Sequence, residues 1–149
     1  MEVSSKDYKK YFEWLKTSRV VQAYFNHRFK SDELTIVGSL NLSDNEYIKE
    51  LVSVKSITGY LDLWNTPIKS LKNLESVGGY LDLDNTPIKS LGNLQSVGVF
   101  LNLENTPIES LGNLESVGYS LDLRDTPISK KMTESEIRKM VNVIGDLNI

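Results

Sequence analysis

Residues 60–129 contain one phrase written four times at intervals of 20 residues. YLDLWNTPIKSLKNLESVGG opens at Tyr60, YLDLDNTPIKSLGNLQSVGV at Tyr80, FLNLENTPIESLGNLESVGY at Phe100 and SLDLRDTPIS at Ser120. A unit this short cannot enclose a core of its own. It must bury its apolar edge against the next unit, so the repeat constrains the fold more than any local propensity does. Aligned on the Leu-x-Leu pair, the units are Leu40/Leu42, Leu61/Leu63, Leu81/Leu83, Leu101/Leu103 and Leu121/Leu123. The first is degenerate, one residue longer than the rest. Terminal repeats are commonly atypical.

Within a unit the Leu-x-Leu alternation has the period of a strand. The proline of Asn-Thr-Pro-Ile then ends ladder pairing and turns the chain. Ile68, Leu71 and Leu74 follow at spacings of three, which predicts a tight 3₁₀ or extended return limb rather than an α-helix. Val77-Gly78 closes the coil, with glycine expected at the corner. Thr66, Thr86, Thr106 and Thr126 are expected to point inward and bond the backbone of neighbouring coils. Asn65, Asn85, Asn105 and Asp125 are expected to serve the same turn.

The pattern LxLxxTPIxxLxxL resembles a short leucine-rich repeat, with threonine where that family commonly has asparagine. SVGGYLDL is similar to the coil closures of receptor L-type repeats. The resemblance spans about residues 36–129. It implies an α/β solenoid: a curved parallel β-sheet of about five leucine-rich-repeat-like coils, used for binding proteins. Similar short-period repeats occur in bacterial and phage-encoded proteins. The bacterial effector ligases that share them use a catalytic cysteine, and this chain has no cysteine.

A solenoid needs covers for its open ends. Tyr8, Tyr11, Phe12 and Leu15, then Val21, Tyr24, Phe25 and Phe29, recur at helical spacing and predict an N-terminal helical cap over residues 1–33. The repeats take residues 34–129. Residues 130–149 are expected to form a C-terminal helical cap. There Thr133-Glu134-Ser135-Glu136 reads as a capping box, Ile137, Met140, Val141 and Ile144 as the apolar stripe, and Gly145 as the stop. All three parts form one domain. The aromatic N-terminal helices are also a rival docking element.

Where units differ, they differ on the strand face turned away from the core. One column carries Ser39, Tyr60, Tyr80, Phe100 and Ser120. The next carries Asn41, Asp62, Asp82, Asn102 and Asp122. The third carries Ser43, Trp64, Asp84, Glu104 and Arg124. Strands lie about 4.8 Å apart, so each series stacks. Aromatic neighbours support a ladder, whereas Asp62 beside Asp82 is unfavourable by itself, and folding alone gives no reason for the pair. The expected partner-binding residues are therefore Tyr60, Asp62, Trp64, Tyr80, Asp82, Asp84, Phe100, Asn102, Glu104, Asp122 and Arg124. They make a concave aromatic–acidic face suited to a protein with a basic surface.

Charge agrees with that choice. Residues 1–30 hold seven Lys/Arg and three Asp/Glu, and the remainder ten and seventeen. An acidic body does not suit a nucleic-acid backbone. No apolar run suggests a leader or a membrane span, so a cytoplasmic protein is expected, with no cofactor, as a monomer or weak dimer. The leading expectation is a non-enzymatic protein-binding module, an inhibitor or adaptor; a mobile-element origin, with a host or defence protein as target, is an analogy. The alternative is carbohydrate or Ca²⁺-linked glycan binding on the same face, with Asp62 and Asp82 sharing a cation. An enzyme ranks third: the carboxylates lie on an open face, and His27, the single histidine, has no evident partner.

Overall fold

The computed structural model describes residues 2–15, 33–51 and 53–149, with side chains of residues 11–15 excepted. It is a parallel β-solenoid built on two sheets. The leucine sheet comprises β3 (Leu40–Asn41), β5 (Leu61–Asp62), β7 (Leu81–Asp82), β9 (Phe100–Asn102), β11 (Ser120–Asp122) and β13 (Leu147–Asn148). The other is a serine–valine sheet of β1 (Glu2–Ser4), β2 (Leu34–Val37), β4 (Val54–Ile57), β6 (Ser76–Val77), β8 (Ser96–Val97), β10 (Ser116–Val117) and β12 (Asn142–Val143). Every pairing is parallel. From β5 to β11 the register runs leucine on leucine: Leu61 on Leu81, Leu81 on Leu101, Leu101 on Leu121. Four turns carry the chain from β2 to β10.

One sheet was expected and two are present. The return limb is extended, with bridges Glu50–Ser70 and Ser90–Ser110, and the Ser-Val pair of each SVG phrase adds a strand. The core runs down the axis as identical layers. Leu61, Leu63, Ile68, Leu71, Leu74 and Val77 are buried in one turn and Leu81, Leu83, Ile88, Leu91, Leu94 and Val97 in the next. Burying a side chain of this kind is worth roughly 1.5–3 kcal/mol, so each layer offsets its own ordering entropy only when stacked.

Three structural expectations change in detail. Glycine at 78, 98 and 118 is required by proximity, not by a corner. None has positive φ, but a Cβ at Gly98 would collide with the Gly78 carbonyl oxygen, and one at Gly118 with that of Gly98. The buried threonines bond within their own coil. Thr66, Thr86 and Thr106 donate Oγ1 to the carbonyls of Leu63, Leu83 and Leu103 at 2.7–2.8 Å, and Thr126 donates to Leu123 at 2.6 Å. At this corner the side-chain bonds between coils come from the adjacent asparagines, with Asn105 Nδ2 donating to Asp84 Oδ1 at 3.2 Å. Asn85 Nδ2 donates to Asn65 Oδ1 at 2.7 Å, and Asn65 Nδ2 to Asp44 Oδ1 at 2.7 Å. Residues 44, 65, 85, 105 and 125 share the left-handed conformation that Asn and Asp tolerate best.

The ends are not the plain helical caps expected. A strand, β1, precedes α1 (Ser5–Leu15) and pairs with β2. The second N-terminal segment, including His27, lies outside the described residues. At the other end α2 (Glu134–Met140) does begin with a capping box: Thr133 Oγ1 accepts from the Glu136 N–H, and Glu136 Oε2 accepts from the Thr133 N–H. It stops at Met140, earlier than the stripe predicted. The chain turns into β12 and β13, adding a sixth strand to the leucine sheet beyond the five Leu-x-Leu pairs. Met140 and Ile144 are accordingly exposed, while Ile137, Val141, Val143 and Leu147 are buried. Arg138 reaches from α2 to the carbonyls of Val143 (2.8 Å) and Gly145 (2.9 Å), satisfying acceptors at this open edge. No helix among the described residues is long and apolar enough to cross a membrane.

Candidate functional site

The strands stack all three variable columns on the outer side of the leucine sheet. Asp62 pairs in register with Asp82, Asp82 with Asn102, and Asn102 with Asp122. Leucines on either side of each middle-column residue are buried, which fixes the outward direction of that residue and of its neighbours two positions away.

In the first column Tyr60 and Tyr80 are stacked face to face, with centroids 4.5 Å apart and planes 5° from parallel. Phe100 follows on β9 but makes no ring stack among the described residues. The Tyr80 phenol is pushed above its ordinary value, first by burial and then by the charge of Asp62. Its hydroxyl therefore stays a hydrogen-bond donor over the whole physiological range.

The middle column has a structural duty that the sequence reading did not assign. Asn41, Asp62, Asp82, Asn102 and Asp122 each turn Oδ1 onto the backbone N–H two residues on, at 3.0–3.1 Å. These Asx turns end each strand and begin the Asn-Thr-Pro corner. Folding therefore does require an Asx residue there. It does not require the charge, because Asn41 and Asn102 do the same work.

Charge divides the face into two halves. Toward the C-terminal end, Arg124 Nη2 bonds both Asp122 Oδ2 and Glu104 Oε2 at 2.7 Å, and Nε lies 3.0 Å from both Asp122 oxygens. Asp122 is only 3% exposed beneath this guanidinium. Of the expected site residues, Glu104, Asp122 and Arg124 thus satisfy one another. Toward the N-terminal end, Asp62, Asp82 and Asp84 have no ion pair among the described residues. The Asp82 carboxyl is held above its ordinary value of 3.8, first by burial and then by Asp62 and Asp84. Hydrogen bonds from the Asp84 N–H and the Asn102 side chain oppose the shift. Trp64, 41% exposed, borders these acids.

Among the described residues, no three His, Cys, Asp or Glu side chains converge to hold a metal ion. A second surface feature is not declared by the sequence. A groove of about 420 Å³ runs along the serine–valine sheet, lined by Ser76, Gly78, Ser96, Gly98 and Ile144 among others. Its signal was the recurring SVG, which reads as a closure because small residues also suit corners.

The fold and its graded face define a repeat protein of the parallel β-solenoid class. No family model matches the sequence, and neither curated proteins nor solved structures match it.

Proposed function

We propose that this chain is a non-enzymatic binding module whose outer leucine-sheet face docks a protein with a basic surface. The observation that carries the reading is the unneutralised trio Asp62, Asp82 and Asp84 beside the Tyr60–Tyr80 stack and Trp64. Elsewhere the same columns neutralise themselves, and the Asx turns need no charge. Asn41 donates to Asp62, Asn102 to Asp82 and Asn105 to Asp84, but none supplies a counter-charge, so three uncompensated charges serve something outside the fold. Exposed Trp64 and the half-buried Tyr60 and Tyr80 contribute anchoring area, and the acids steer a basic partner. Glycan or Ca²⁺ binding is the weaker reading, since the acids form a column and not a cage.

Kinship with short leucine-rich repeats is part of the same proposal, supported by Leu-x-Leu strands stacked in register on a parallel sheet. An inhibitor or adaptor acting in the cytoplasm is the role that suits a small rigid face without reactive groups.

Capture from a lysate of the source cells tests the reading, using wild type beside Asp82→Asn/Asp84→Asn. Both substitutions retain the oxygen that accepts the local hydrogen bond, so the coil is expected to fold. A partner held by wild type, released by salt and lost by the variant is the expected result. A partner held equally by both removes the docking assignment from this face.

A further inference from the structure

Arg124 shows how this face receives a cation. Its guanidinium forks the middle-column acid of its own strand, Asp122, and also touches the third-column residue of the preceding strand, Glu104. In repeat terms its partners stand two and twenty residues behind it. Two coils earlier, Asp84 occupies the position equivalent to Arg124. Two residues behind it is Asp82, and twenty behind it is Trp64. The fork acceptor is therefore conserved by the repeat, an indole stands in the place of Glu104, and the chain supplies a carboxylate where it elsewhere supplies the guanidinium. Asp82 shares the Asx turn of Asp122, with Oδ1 on the i+2 N–H at 3.0 Å, and it also accepts from the Asn102 side chain, which an arriving guanidinium joins or displaces.

Resting on the docking face proposed above, we infer that the partner contributes an arginine side chain, seated as Arg124 is seated: forked on Asp82, laid against the Trp64 ring and flanked by Asp62 and Asp84. The chemistry selects arginine over lysine. A planar guanidinium makes two parallel bonds to one carboxylate and stacks on an indole at the same time, whereas an ammonium is a strongly hydrated point charge. Stacking of a cation on tryptophan contributes roughly 0.5–1 kcal/mol at exposed sites and more when water is excluded.

The test is an NMR titration of isotope-labelled protein with hexa-arginine and, separately, hexalysine, following the Trp64 indole N–H and the amides of β5 and β7. Asp82→Asn and Trp64→Leu run alongside. Column three already carries Ser, Trp, Asp, Glu and Arg in successive coils, so Trp64→Leu is expected to fold, and an unchanged amide spectrum elsewhere checks it. Hexa-arginine is expected to bind about 10-fold more tightly than hexalysine, and each variant to abolish that preference. Equal affinity for the two peptides overturns the guanidinium seat while leaving the acidic docking face standing. So does a preference that survives Trp64→Leu. Absence of any shift on β5 and β7, with a native partner still lost by Asp82→Asn/Asp84→Asn, also overturns it. Failure of the docking face itself would show separately, as capture that ignores the double variant.

Discussion

At Asp82 one side chain has two separable jobs. Its oxygen ends a strand by accepting the Asp84 N–H, and its charge is displayed to solvent beside Asp62 and Asp84. Asp82→Asn keeps the first job and removes the second; Asp82→Ala removes both. Alanine is expected to cost about 1 kcal/mol, the worth of a half-buried hydrogen bond. Asparagine is expected to stabilise, with a definite pH dependence. The folded-state pKa is raised, so the unfolded chain releases this proton more readily, and ionised Asp82 opposes folding at neutral pH. That opposition fades as pH falls through the raised value toward 3.8. Urea unfolding should therefore show Asp82→Asn more stable than wild type at pH 7, with the gap closing in the acid range just above the ordinary carboxylate value. A constant gap, or asparagine matching alanine, would contradict the division of labour. The sequence showed which residues vary, but not this division, because an Asx turn and a binding carboxylate use the same letter.

Among the elements, the C-terminal segment departs furthest from its sequence pattern. The capping box Thr133 to Glu136 was legible, being a local matter of spacing, and it starts α2 where expected. The end of the helix was not legible. Val141 continues the helical stripe but also alternates with Val143 as a strand would, and the open edge of β10 decides the matter by pairing with β12 just after Val141, the helix C-cap. Asn142 and Ile144 donate to Glu115 and Val117, which is worth more to the chain than one further helical turn. Arg138 then holds the new edge through the Val143 and Gly145 carbonyls. Arg138→Met retains the packing stem but removes the donors. Hydrogen exchange is expected to quicken several-fold at Asn142, Ile144 and Gly145 while β6 and β8 keep their protection. Uniform acceleration along the whole solenoid would mean that the end and the middle unfold together.

For the whole molecule the repeat made the architecture legible and hid its second sheet. Leu-x-Leu declares a strand by alternation, whereas Ser-Val is too short to show any period, and its pairing exists only once coils stack. The glycine beside it is the sign that was available: 78, 98 and 118 recur because one backbone lies against the next. Gly98→Val places a branched side chain between two coils and should cost about 3 kcal/mol or more, with Gly92→Ala, where a Cβ meets open space, as a milder comparison strained only by its φ of +59°. Equal effects of the two in urea unfolding would refute close stacking as the reason for glycine at 98. The docking face was legible as three columns, but its division was not, because only the fold brings Arg124 onto Glu104 and leaves Asp62, Asp82 and Asp84 without a counter-charge among the described residues.

The most direct measurement is hydroxyl-radical footprinting of the captured partner's complex, read by mass spectrometry at aromatic side chains on the two faces. Docking on the leucine sheet predicts that labelling of Trp64 and Tyr80 falls severalfold in the complex while Tyr119, 60% exposed at the corner after Gly118, reacts as it does in the free protein. Protection of Tyr119 with Trp64 and Tyr80 unchanged would place the partner away from the aromatic–acidic face and contradict the assignment.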